Sequence, residues 1–294
     1  MNMDNVNEFF AALSSFLWGW PMIVLLLGTH IFLTVRLRFP QRKLFTAIRL
    51  SVQRDKSQKG DVSQFGALAT ALAATIGTGN IIGVATAVAL GGPGAVFWCW
   101  LTGVFGISTK YSEALLAIKY RVKSERGLMQ GGPMYTLERG LGWRKMGILF
   151  ALFTAIAAFG IGCTVQANAI STIMYASYGI STELSGGVLM LLAAAVIIGG
   201  VRSISKVCSM LVPFMALLYV LGCIYILCVN ASYVAPALQL IVSSAFSPEA
   251  AGGGFAGSTV IMAARYGIAR GLFSNESGLG SAPIVAAAAR TKNP

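Results

Sequence analysis

Apolar residues run through this chain in long blocks, and the polar residues collect between the blocks instead of alternating within them. A helix needs about 20 apolar residues to cross a hydrocarbon layer. Seven stretches approach that length: 17–37, 63–90, 94–118, 146–177, 184–201, 207–229 and 256–290. The second and the seventh are interrupted. In the second, Gly77-Thr78-Gly79-Asn80 sets two glycines and two side chains that compete for backbone groups in the middle of a helix. Each Gly costs a helix about 1 kcal/mol relative to Ala. In the seventh, Gly278, Gly280, Ser281 and Pro283 read as the end of one half-helix and the capped start of another. Irregular backbone at membrane depth is tolerated where it is buried in protein or lines a wet cavity. Close helix packing also uses glycine, and it accounts for Gly199-Gly200. At the two interruptions Asn80, Asn275 and Glu276 add a polar cost that packing does not require.

Composition agrees with the pattern: 56% of the 294 residues are hydrophobic and 11% are charged, too few charges to clothe a soluble domain. The net charge of +12 would suit a nucleic-acid binder, but its carriers sit in alternate short connections. Arg36, Arg38, Arg42, Lys43, Arg49, Arg54, Lys56 and Lys59 lie between the first two stretches. Lys119, Arg121, Lys123, Arg126, Arg139, Arg144 and Lys145 lie between the third and fourth. Arg202 and Lys206 follow the fifth, and Arg290 and Lys292 follow the seventh. The N-terminus and the connections 91–93, 178–183 and 230–255 carry neither Lys nor Arg. The positive-inside rule then predicts a multi-pass protein of the cell membrane, with the N-terminus outside and residue 294 on the cytoplasmic side. The partner implied is the lipid bilayer, not nucleic acid. Asp4 and Glu8 and the lack of a basic leader argue against a cleaved signal peptide. Cys99, Cys163, Cys208, Cys223 and Cys228 all fall in apolar stretches and read as small buried hydrophobes, with no disulfide or zinc framework. His30 is the sole histidine, so no Ser-His, Cys-His or metal constellation suggests an enzyme.

The seventh stretch lies five along from the second, and an odd offset reverses direction. Antiparallel broken helices in corresponding positions point to an inverted-repeat secondary transporter. In such folds half-helix N-termini favour an anionic group, and unwound carbonyls coordinate a cation. A nucleotide-loop reading of Gly77-x-Gly79 fails, because the third glycine, Gly83, comes one position late and no strand precedes the motif.

Four segments carry a resemblance to a known family. They are Gly91-Gly92-Pro93-Gly94-Ala95-Val96-Phe97-Trp98-Cys99-Trp100, Gly131-Gly132-Pro133-Met134-Tyr135, Phe159-Gly160-Ile161-Gly162-Cys163-Thr164-Val165-Gln166-Ala167-Asn168, and the run from Arg270 to Pro283. These resemble the alanine or glycine:cation symporters, also called sodium:alanine symporters. Cys99 stands where that family usually has Met, Cys163-Thr164 where it has Asn-Met, and Ser277 where Ala is common. The resemblance implies an all-α integral membrane protein with a five-plus-five inverted-repeat core and one extra N-terminal helix. On that mapping 17–37 is the extra helix, 63–229 the first five-helix repeat, and 256–290 the broken helix that opens the second. The rest of the second repeat is absent, so the chain is expected to be a fragment or a truncation. The implied function is sodium-coupled symport of alanine or glycine by alternating access, with sodium the co-transported ion and no other cofactor. A non-transporting membrane remnant is the alternative.

The expected site follows from the same mapping. Thr78, Gly79 and Asn80 would offer backbone amides and a hydroxyl to a substrate carboxylate. Gln166 would hydrogen-bond the substrate or, alternatively, a neighbouring helix. Phe273 would wall the side-chain pocket or merely pack. Ser274 and Asn275 would bind the ligand's ammonium or cap the half-helix. Carbonyls around Ala74, Thr75 and Gly77 are ion-site candidates by fold analogy. Glu276, with Gly278 and Gly280, is expected to serve structure or gating, Glu276 as a hydrogen-bonding anchor first. Arg265 and Arg270, on the outer half of the seventh stretch, would pair with acids or face water at the outer vestibule, and Lys110 with Glu113 reads as a surface-type pair.

Overall fold

The computed structural model describes residues 3–53, 60–246 and 260–291. Helices dominate it. The first are α1 (Met3–Leu17), α2 (Trp20–Arg36), α3 (Leu44–Val52), α4 (Gln64–Thr75), α5 (Val84–Gly91), α6 (Gly94–Lys119) and α7 (Pro133–Gly140). There follow α8 (Arg144–Ala157), α9 (Val165–Tyr178), α10 (Thr182–Ile197), α11 (Gly200–Val229), α12 (Ala231–Phe246), α13 (Val260–Asn275) and α14 (Ala282–Ala287). A small antiparallel hairpin, β1 (Val122–Lys123) and β2 (Met129–Gln130), pairs Val122 with Gln130 and Lys123 with Met129.

Helix ends follow the local chemistry. Ser63 caps α4 by accepting from the Gly66 amide at 3.0 Å, and Ser181 does the same for α10 through Leu184. Gly92 stops α5 at φ +73 and Gly179 closes α9 at φ +67, left-handed turns that favour glycine.

Among the described residues helices occupy all seven apolar stretches, and three helical stretches are long and apolar enough to cross a membrane unaided: Asp4–Arg36, Arg144–Tyr178 and Gly200–Val229. Gln64–Thr75 with Gly79–Gly91 qualifies as one broken span. The others are α6, with Lys110, Glu113 and Lys119 toward its end, and the 16-residue α10 and α13. Residues 256–259 of the seventh stretch, and Arg54, Lys56, Lys59 and Lys292, lie outside the described residues. One expectation fails. The connection 230–255 contains helix α12, whose 16 residues fall short of the length used to recognise a span. Large apolar side chains face outward along α8 to α11, among them Phe153, Leu191, Ile198 and Phe214, the surface expected where lipid is the solvent.

The chain divides into two compact units. The first comprises the described residues of Met1–Lys43, Gly79–Tyr111 and Leu221–Gly278. Its core is the face of α2 against α13: Ile23, Leu26, Ala264, Ile268 and Leu272, with Met22, Leu27 and Trp98 packed on them. Here α12 is seated by aromatic contacts, Phe246 lying 5.0 Å from Phe97 and 5.9 Å from Trp98.

The second unit comprises the described residues of Leu44–Thr78, Ser112–Val220 and Leu279–Pro294. A polar seam closes its basic end. The Asp61 amide donates to the Ala288 carbonyl at 2.8 Å, and the Arg290 amide to the Val62 carbonyl at 2.9 Å. The Asp61 carboxylate is buried, accepts from the Met129 amide at 2.6 Å and lies 3.4 Å from the Arg202 guanidinium. Arg121 donates to the carbonyls of Ala287, Ala289 and Thr291 at 3.0, 2.8 and 2.8 Å, satisfying acceptors that the end of α14 leaves open. Burial draws the Arg121 pKa below the ordinary arginine value, and the charge of Asp61 opposes that shift.

Candidate functional site

Within the second unit, α4 ends at Thr75 and Ile76 leaves the helical conformation at ψ 89. The Thr75 hydroxyl turns back to the Ala71 carbonyl at 3.1 Å, a common way for a hydroxyl to weaken a helix end. Thr78 then donates its hydroxyl to Gln166 Oε1 at 2.9 Å. A Cβ built on Gly77 would stand 3.7 Å from the same oxygen. Three residues singled out from sequence, Gly77, Thr78 and Gln166, are thus neighbours, while Ala74 is exposed. Gln166 sits in the first turn of α9, just after a π-helical turn at Ala158–Thr164. Such turns recur at functional positions because the widened ladder leaves carbonyls turned outward. Gly280, at φ +81, packs against Phe150 and Pro133, leaving no room for a side chain.

Within the first unit, a π-helical turn at Gly79–Gly83 carries Asn80 and leads into α5. A Cβ on Gly79 would stand 3.5 Å from Phe273 Cδ1 and 3.6 Å from Ser274 Cα, so Gly79, Phe273 and the buried Ser274 are also neighbours. The α13 helix ends at Asn275, and Glu276 takes φ +51, an uncommon conformation for a residue with a side chain. Gly278 follows at φ +88. Lys110, read from sequence as half of a surface pair with Glu113, donates its ammonium to the Asn275 carbonyl at 2.7 Å. A cation there complements the negative end of a helix. Spacing along one helix could not reveal this partner, which is remote in sequence. Arg265 reaches Ser15 instead of an acid, with bonds of 3.1 and 2.9 Å to its carbonyl and hydroxyl.

Among the described residues no group of three or more His, Cys, Asp or Glu side chains could hold a metal. What the two clusters offer is hydroxyl, amide and backbone chemistry beside interrupted helices.

Comparison with known proteins gives this chemistry a context. The profile of the sodium:alanine symporter family matches residues 3–294. An uncharacterized transporter of Haemophilus influenzae is 53% identical, over 98% of this chain and 64% of its own length. The sodium/alanine symporter AgcS of Methanococcus maripaludis is 52% identical, over 96% of this chain and 63% of its own. The probable sodium/glutamine symporter GlnT of Bacillus subtilis is 38% identical, over 95% and 58%. The chain therefore spans about six-tenths of the length of these relatives.

Proposed function

The chain belongs to the sodium:alanine symporter family, and we propose that it works in sodium-coupled symport of alanine or glycine by alternating access. The observation that carries this reading is the Thr78–Gln166 hydrogen bond at the first helix interruption. With its Oε1 engaged by Thr78, the Gln166 amide keeps its two N–H donors for a carboxylate. The amides opening the Gly79–Gly91 run add a positive dipole end, so the ligand's negative charge needs no buried arginine. In the first unit Phe273 stands beside Gly79 as the wall that limits ligand size, and Ser274 and Asn275 serve the ammonium or the half-helix end. Ala74, Thr75 and Gly77 contribute carbonyls to the sodium site. GlnT is named for a larger amide substrate, so membership alone leaves ligand size to the wall residues.

The same reading takes 17–37 as an extra helix, 63–229 as one five-helix repeat and 256–290 as the start of its inverted partner. It puts the basic connections in the cytoplasm of a cell whose plasma membrane holds the protein.

The test is sodium-driven uptake of labelled alanine, glycine and glutamine into proteoliposomes. Gln166→Ala and Asn80→Ala should each abolish alanine uptake while leaving the amount of protein in the membrane unchanged. Normal uptake in both variants would remove these residues from the site, and preference for glutamine would remove the size argument.

A further inference from the structure

Helix α2 enters the reading above only as an extra helix, yet two of its polar side chains, His30 and Thr34, are almost wholly buried. His30 is 0% exposed, and its Nδ1 shares a 2.7 Å hydrogen bond with Thr109 Oγ1. One turn on, Thr34 and Ser108 share a bond of 2.8 Å. Gln41 Nε2 then donates to Ser108 Oγ and to the Val104 carbonyl, both at 3.0 Å. Together these fasten α2 and the turn after it to one edge of α6. The second ring nitrogen, His30 Nε2, has no hydrogen-bond partner among the described residues. A buried polar atom in that condition calls for a reason.

The edge of the ring that carries Nε2 faces the unwound end of α13. A Cβ on Gly106 would stand 3.0 Å from Ser277 Oγ and 3.8 Å from His30 Nε2. The hydroxyl and the ring nitrogen therefore border one spot that stays open because residue 106 is glycine. A Cβ on Gly278 would stand 3.8 Å from His30 Cε1 and 2.8 Å from Leu26 Cδ2. Ser277 is itself 2% exposed and sits between Glu276 and Gly278, both left-handed.

We propose that His30 is a positioning residue with two states: when Glu276–Gly278 shifts during the transport cycle, the Ser277 hydroxyl bonds His30 Nε2. Helix α2 is then the fixed post against which the end of α13 is registered. This rests on the symport reading.

Three variants of the full chain test it in proteoliposomes. His30→Asn keeps a polar atom near the Nδ1 position for Thr109 and removes Nε2. His30→Gln extends a polar atom toward the Nε2 position, and Ser277→Ala removes the other half. His30→Asn and Ser277→Ala should each lower maximal sodium-driven alanine uptake about five- to tenfold, the size of one buried hydrogen bond. Alanine affinity, measured by equilibrium binding, should stay within about twofold. The double variant should be no slower than either single one, and His30→Gln should recover most of the rate. Unchanged rates in both single variants, losses that multiply in the double variant, or a loss of affinity instead of rate would each overturn the contact. Should His30→Asn not reach the membrane folded, Ser277→Ala alone decides. Wild-type protein that neither binds nor moves alanine would instead overturn the symport reading.

Discussion

At the first interruption Ile76 to Thr78 separate α4 from the next helical turn, and at the second Glu276 to Ser281 separate α13 from α14. The short break has no residue with positive φ, whereas the long one has Glu276, Gly278 and Gly280 in that region. The short break runs into a π-helical turn, and a side chain from another helix, Gln166, holds its hydroxyl. The long break is held by its backbone, with Lys110 on the Asn275 carbonyl and a glycine where Leu26 leaves no room. A brief break can be secured by one amide, while a true unwinding needs left-handed residues and a cation at the helix end.

The largest expected effect breaks the comparison at its glycines. Gly278→Ala brings left-handed strain of about 1–2 kcal/mol and a methyl pressed on Leu26 that costs about 1–3 kcal/mol. Unfolding in mixed micelles should therefore show a loss of roughly 2–5 kcal/mol. Wild-type stability in that variant would mean the left-handed geometry is not what the long break requires.

Next comes Lys110→Met. Its ammonium is partly exposed, so the charged hydrogen bond is discounted to about 1–2 kcal/mol. Amide exchange at Glu276–Gly278 should quicken and that at Gly79–Gly83 should not. Equal quickening at both would show that Lys110 steadies the first unit as a whole.

The smallest effect sharpens the contrast. Gly79→Ala meets nothing closer than 3.5 Å, so its unfolding free energy should stay within about 0.5 kcal/mol of wild type. A loss like that of Gly278→Ala would place the short break among the strained ones.

Much of this could be read in the sequence, because glycine, asparagine and glutamate are costly in mid-membrane and so announce themselves. Gln166 and Thr78 were each visible as polar groups in apolar runs. Their pairing was not, since helix periodicity relates residues a few positions apart and these are separated by 88. The bond from Lys110 to the Asn275 carbonyl was hidden for the same reason: the two residues are 165 positions apart. The π-helical turns at Gly79–Gly83 and Ala158–Thr164 leave no compositional mark beyond the glycines inside them. Helix α12 was missed because 16 residues look like a loop to a rule written for complete spans.

The polar seam on Asp61 and Arg121 bears on how the protein is made. Asp61 and Ala288 are more than two hundred residues apart, yet they pair through their backbones. A ribosome delivers Asp61 and Arg121 long before Thr291 emerges. Until then three carbonyl acceptors for one guanidinium do not exist, and the Asp61 amide has no Ala288 to meet. This joint is sealed late in biosynthesis, after the helices between have been inserted, and so it reports that the path from Asp61 to Thr291 was threaded correctly.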